Sequence, residues 1–174
     1  MLNRRAPCGR LGLSLALALL VASAPAKEVD LDLPNCEFTV KLPIKPDVKV
    51  GREKTGAATG PSMIAQVSNR VPGYRIECQS FASMPQNARS AFIDDTLGQA
   101  ASLALKDMQQ SVKQTRLGVV IEFSGINYQA NVPFVVSGRN VLGRRSVFSV
   151  VVTEPAEAYP SEETSRVLKS VRKK

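Results

Sequence analysis

Over residues 36–42 the chain alternates strictly, with Phe38, Val40 and Leu42 in one set of positions and Glu37, Thr39 and Lys41 in the other. A period of two predicts a half-buried strand. Pro43 and Pro46 close it, because a proline offers no amide to a ladder. Residues 47–51 predict a short second strand, and the polar, glycine-bearing stretch 53–61 a hairpin loop. Residues 63–67 and 74–81 follow as strands around a turn at 68–73, with Tyr74, Ile76 and Cys78 sharing a face. Over 90–112 the period changes. Ile93, Leu97, Ala100 or Ala101, Ala104, Met108 and Val112 recur about four apart, which predicts a helix with Asp94 and Asp95 near its start and Lys106 and Lys113 near its end. The runs 118–123, 128–137 and 146–153 read as strands punctuated by turns at Gly125, Gly138 and Gly143. The last run is apolar on successive positions and should lie centrally, covered on both faces. Pro160 and Ser161 open a final helix, with Ser161 as cap, Glu162 and Glu163 in the first turn, and Val167, Leu168 and Val171 as its buried stripe. Strands, helix, strands, helix with short connections predict an α+β fold, a mainly antiparallel sheet with two main helices packed on it.

The first 26 residues differ from the rest. Arg4, Arg5 and Arg10 precede an uncharged apolar run from Leu11 to Val21, which has the form of a signal peptide and is too short for a stable bilayer span. Ala24 and Ala26 supply the small residues that cleavage requires, and a cut after Ala26 avoids placing Pro25 at the new terminus. Cys8 precedes the apolar run, so it is not the acylated cysteine of a lipoprotein. Residues 27–174 are then expected to be a single mature domain in the periplasm, without a transmembrane segment. Losing three arginines takes the basic count from 23 to 20 against 15 acidic side chains, so the net charge falls from +8 to +5. Only Arg172-Lys173-Lys174 forms a basic run, which reads as a solvated, frayed end, and no basic stripe interleaves with aromatics. Nucleic-acid binding is not expected.

With no histidine in the chain, the commonest general base, the Ser-His and Cys-His nucleophile pairs and most zinc sites are excluded together. Cys36 and Cys78 remain after leader removal, an even number in an oxidising compartment, and are expected to form a disulfide. Of the carboxylate pairs, Asp94-Asp95 and Glu162-Glu163 are adjacent on expected helices and point about 100° apart, so neither converges on a substrate. Asp30-Leu-Asp32 lacks the third acid and the glycine of a calcium loop, and Gly51, Gly56 and Gly60 match no phosphate loop. No metal and no cofactor are expected.

The opening Phe38-Thr-Val-Lys-Leu-Pro-Ile-Lys-Pro46 resembles the strand and turn of PsbP-like proteins and DcrB-type periplasmic proteins. A long central helix, the Gly125-Ile-Asn-Tyr128 segment, the hairpin Arg139-Asn-Val-Leu-Gly-Arg-Arg-Ser-Val-Phe148 and the closing Val167-Leu-Lys-Ser-Val-Arg172 are similar to that group in order. The resemblance implies an α/β/α sandwich, no catalytic residue, and accessory roles such as those of subunits of membrane complexes. Two function classes stay open. One is a non-enzymatic periplasmic binding or accessory protein that contacts an envelope protein or an anionic envelope component through Arg139, Arg144 and Arg145. These three flank a glycine turn, and guanidinium groups meet carboxylates and phosphates bidentately. The alternative is a histidine-independent periplasmic enzyme using a lysine, tyrosine or carboxylate shifted by burial. Mass spectrometry of exported protein should show Lys27 as the first residue, and recovery of intact Met1 with the inner membrane would overturn the leader assignment.

Overall fold

The structure, a computed structural model, describes residues 28–50, 62–81 and 86–174. The expected leader and the expected 53–61 loop lie outside these residues. Among them the chain forms β1 (Val29–Asp32), β2 (Phe38–Leu42), β3 (Asp47–Val50), β4 (Met63–Val67), β5 (Gly73–Ser80), α1 (Gln86–Ser102), β6 (Lys106–Thr115), β7 (Gly118–Gln129), β8 (Val132–Leu142), β9 (Ser146–Pro155), a 3-10 turn (Ala156–Ala158), α2 (Glu162–Lys169) and β10 (Arg172–Lys173). Seven strands make one antiparallel sheet in the order β3-β4-β5-β9-β8-β7-β6, and three make a second in the order β1-β2-β10. The large sheet is two meanders. β3, β4 and β5 run edge inward, α1 carries the chain to the far edge, and β6 to β9 return until β9 pairs with β5 along its whole length.

The core lies between the small sheet with α2 and one face of the large sheet. Phe38, Val40 and Leu42 of β2 are fully buried against a layer that includes Tyr74, Ile76 and Cys78 of β5 and Phe148, Val150 and Val152 of β9. The Phe38 and Phe148 rings meet at 6.1 Å between centroids, within the range of favourable aromatic pairs. From α2, Ser161 Oγ accepts the Thr164 N–H at 3.1 Å as the N-cap, and Val167 enters the core, joined just beyond the helix by Val171. Cys36 and Cys78 join the two layers as a disulfide with Cα atoms 6.1 Å apart.

This architecture is mainly β and corrects the α+β expectation of two main helices in an α/β/α sandwich. The long helix ends at Ser102, and residues 106–112, the last part of the helix expected over 90–112, belong to strand β6, which pairs with β7. A spacing of four residues, as between Met108 and Val112, satisfies a period of two as well as one of 3.6; the long-range ladder to β7 decides between them. The last helix has only 8 residues, and the tail expected to fray pairs with β2 instead. Arg172 there reaches Asp30 at 2.8 Å, and Lys174 pairs with Asp32, so the two alternating acids of β1 face the basic run. These side chains lie across Thr39, which is buried with its hydroxyl donating to Leu31 O at 2.8 Å, so the polar face expected of β2 is largely covered.

Two glycines expected at turns lie within strands. A Cβ on Gly138 would collide with the ring of its cross-strand partner Phe123, and one on Gly125 would collide with Leu105, so each makes room for a side chain. The β7–β8 turn is made by Ala130 and Asn131, both at positive φ (48° and 67°), which is the geometry of a tight two-residue hairpin.

The disulfide closes 42 residues of chain, a constraint on the unfolded state of about 4 kcal/mol in the loop-entropy account. Replacing both Cys36 and Cys78 with Ser should therefore lower the unfolding free energy by several kcal/mol in denaturant titrations, and a change below about 1 kcal/mol would contradict it.

Candidate functional site

The three arginines singled out from sequence occupy two different places. Arg144 and Arg145 are exposed in the turn between β8 and β9, whereas Arg139 is within β8, three residues before that strand ends at Leu142.

The turn is held by one carboxylate. Glu37, just before β2, has a side chain only 9% exposed, and its Oε2 accepts the backbone N–H of Arg145 at 2.6 Å and that of Ser146 at 2.9 Å. The Ser146 hydroxyl in turn accepts the Glu37 N–H at 3.0 Å. Gly143 lies so close to Glu37 and the Phe38 ring that a Cβ there would collide with both. The carbonyls of the turn are also engaged: Gly143 O accepts from Arg89 of α1 at 3.3 Å and Arg145 O accepts the Phe81 N–H at 2.7 Å. On the other side, Lys173 Nζ approaches Glu37 Oε1 at 3.9 Å, and Glu37 O accepts the Lys174 N–H at 3.0 Å. Arg89, Arg144, Arg145 and Lys173 thus converge on one corner around a single buried acid. Arg70, Arg75, Arg139, Arg166 and Arg172 each face a carboxylate, while the guanidinium groups of Arg144 and Arg145 have no ion pair among the described residues. Sequence reading missed Glu37, Arg89 and Lys173, because nothing local in a strand, a helix or a tail shows that they meet.

Arg139 instead lines a shallow pocket of about 280 Å³ with Gln109, Ser111, Glu122, Ser124 and Ser137, rimmed by Tyr159 and Leu168. Its Nη1 donates to Leu168 O at 2.8 Å, placing a cation at the C-terminal end of α2, where the helix dipole favours it. Its Nε stands 3.7 Å from Glu122 Oε1, too far for a hydrogen bond.

Near the other end of α2, Glu163 pairs with Arg70 at 2.6 Å and accepts the Tyr74 hydroxyl, so three elements meet at its carboxylate. Burial first, and then the hydrogen bond to Glu163, push the Tyr74 phenol well above its ordinary value of about 10. Among the described residues, no group of three His, Cys, Asp or Glu is placed to hold a metal ion, and no helix is long and apolar enough to cross a membrane.

No protein-family model and no curated protein matches the chain. Among solved structures it is similar to a protein of Bacteroides thetaiotaomicron at TM-score 0.47 and 11% identity, over 83% of this chain and 48% of that one. The chain thus spans about half the length of that protein. It is also similar to LpqN of Mycobacterium tuberculosis, a protein involved in cell envelope biogenesis, at TM-score 0.43 and 14% identity, over 83% of this chain and 89% of that one.

Tyr74 gives a pH test with a definite sign. The folded protein keeps a phenolic proton that the unfolded chain gives up above about pH 10, so this contribution is complete below pH 10 and is lost as pH rises beyond it. Denaturant titrations of wild type should show stability falling from pH 10 to about 12, and Tyr74→Phe should flatten that slope. Equal slopes in the two proteins would remove Tyr74 from the alkaline transition.

Proposed function

We propose that the protein is exported to the periplasm by cleavage after Ala26, that residues 27–174 act as one mature domain, and that it is a non-enzymatic binding or accessory protein. Its docking surface is the basic corner, and its partner is an envelope protein with an acidic patch or an anionic envelope component. The observation that carries this reading is the display of Arg144 and Arg145: the backbone beneath them is pinned by Glu37, and both side chains stay exposed without a carboxylate partner among the described residues. A rigid backbone reduces the ordering cost of binding, and two guanidinium groups can meet carboxylate or phosphate without burying a lone charge. Export is supported by the arginine-led apolar leader and by two cysteines placed at disulfide distance. The accessory role follows the resemblance to PsbP-like and DcrB-type proteins. Arg139 is assigned to the pocket, since its guanidinium is tied to Leu168.

Arg144→Ser/Arg145→Ser should leave unfolding free energy within about 0.5 kcal/mol of wild type, as exposed substitutions do, while in-cell crosslinks to envelope material are lost. Crosslinking that persists unchanged in a folded double variant would remove the corner from recognition.

A further inference from the structure

The face of the large sheet that buries Val150 and Val152 on β9 changes character one strand further out. Across β8, β7 and β6 the register places two polar rows side by side: Arg139, Glu122 and Ser111 in one, Ser137, Ser124 and Gln109 in the other. In an antiparallel sheet, residues opposite one another share a face. The rows therefore continue the plane of the core beyond the cover provided by β2 and α2, and they form the floor of the 280 Å³ pocket. Two of their polar atoms, Ser137 Oγ and Arg139 Nε, are buried without a hydrogen-bond partner among the described residues. These two atoms lie beneath the floor, while Gln109, Ser111, Glu122 and Ser124 line the pocket at exposed or half-buried positions where a ligand can reach them.

Charge selects the class of ligand. Arg139 is already faced by Glu122 at 3.7 Å and by the end of α2 through Leu168 O, and Glu122 is approached from its other side by Lys113 at 3.4 Å. The field of the cation is thus largely compensated, and an incoming phosphate or carboxylate would meet Glu122. The remaining groups are hydroxyls, an amide and a carboxylate, a mixture of donors and acceptors that suits a ligand whose own groups are both. Tyr159, partly exposed at the rim beside Leu168, offers a ring face and an apolar edge. We propose that this pocket binds a neutral, hydroxyl-rich ligand, a saccharide unit, with ring hydroxyls bonded to Gln109, Ser111 and Glu122 and the sugar face resting on Tyr159. The proposal is independent of the basic corner.

The test is a titration of the ¹⁵N-labelled mature protein with two neutral oligosaccharides, a β-linked N-acetylglucosamine trimer and maltotriose, with inorganic phosphate and acetate as separate arms. Saturable amide shifts confined to residues 109–111, 122–124 and 137–139 are expected with at least one saccharide at millimolar concentration. They should weaken about tenfold or more in Tyr159→Ala and in Glu122→Gln, both at partly exposed positions, and persist in Arg144→Ser/Arg145→Ser. Absence of saturable shifts with both saccharides overturns the proposal, as does a response to phosphate or acetate alone, which would make the pocket an anion site. Loss of the saccharide shifts in the corner variant would also overturn it, by moving the binding to Arg144 and Arg145.

Discussion

One corner of the fold is organised by a carboxylate largely withdrawn from water, one of whose oxygens gathers two backbone amides. An isolated buried carboxylate is unfavourable by several kcal/mol, and hydrogen bonds from surrounding donors offset this. Glu37 receives two backbone amides from the β8–β9 turn at one oxygen and approaches Lys173 with the other, while its own amide and carbonyl bind Ser146 and Lys174. Three segments distant in sequence are thereby fixed at one point: the approach to β2, the β8–β9 turn of the large sheet, and β10. The burial of Phe38 beside it and the display of the arginines above it follow from the same anchor. Removing the carboxyl would leave the amide of the fully buried Ser146 without its acceptor.

Strand content was legible because a period of two survives any tertiary context, and the positions of β2, β4, β5 and β9 are close to those that alternation or an apolar run suggests. The boundary between α1 and β6 was not. Alanine and glutamine carry little preference about which face they occupy, and the spacing of Met108 and Val112 fits either state. Gly125 and Gly138 misled for a different reason: a glycine inside a strand serves a bulky neighbour elsewhere in the chain, and Phe123 gives no local sign that it needs one. The tail misled because Arg172, Lys173 and Lys174 look like a solvated end until Asp30 and Asp32 are seen across β2.

The same physics explains which parts of the site could be read. Arg144 and Arg145 stand beside a glycine in sequence, so their exposure is a local property. The polar rows could not be found locally, because Gln109 and Ser111 belong to the stretch that spacing assigned to a helix, and only cross-strand register sets them beside Ser124 and Glu122. A sheet face that turns from valine to serine, glutamate and arginine without a break in the ladder marks the edge of the core more sharply than composition does.

The small sheet closes over great distances in sequence: Lys41 N–H reaches Ser170 Oγ across 129 residues, and Arg172 reaches Asp30 across 142. Contacts of such separation demand that loop entropy be lost before they return any stabilisation, and they form slowly. A chain synthesised from its N-terminus carries Phe38, Val40 and Leu42 without their covering layers until the residues of β9, α2 and β10 have all emerged. The native layers over β2 therefore cannot close until segments 129 to 142 residues further along the chain are present.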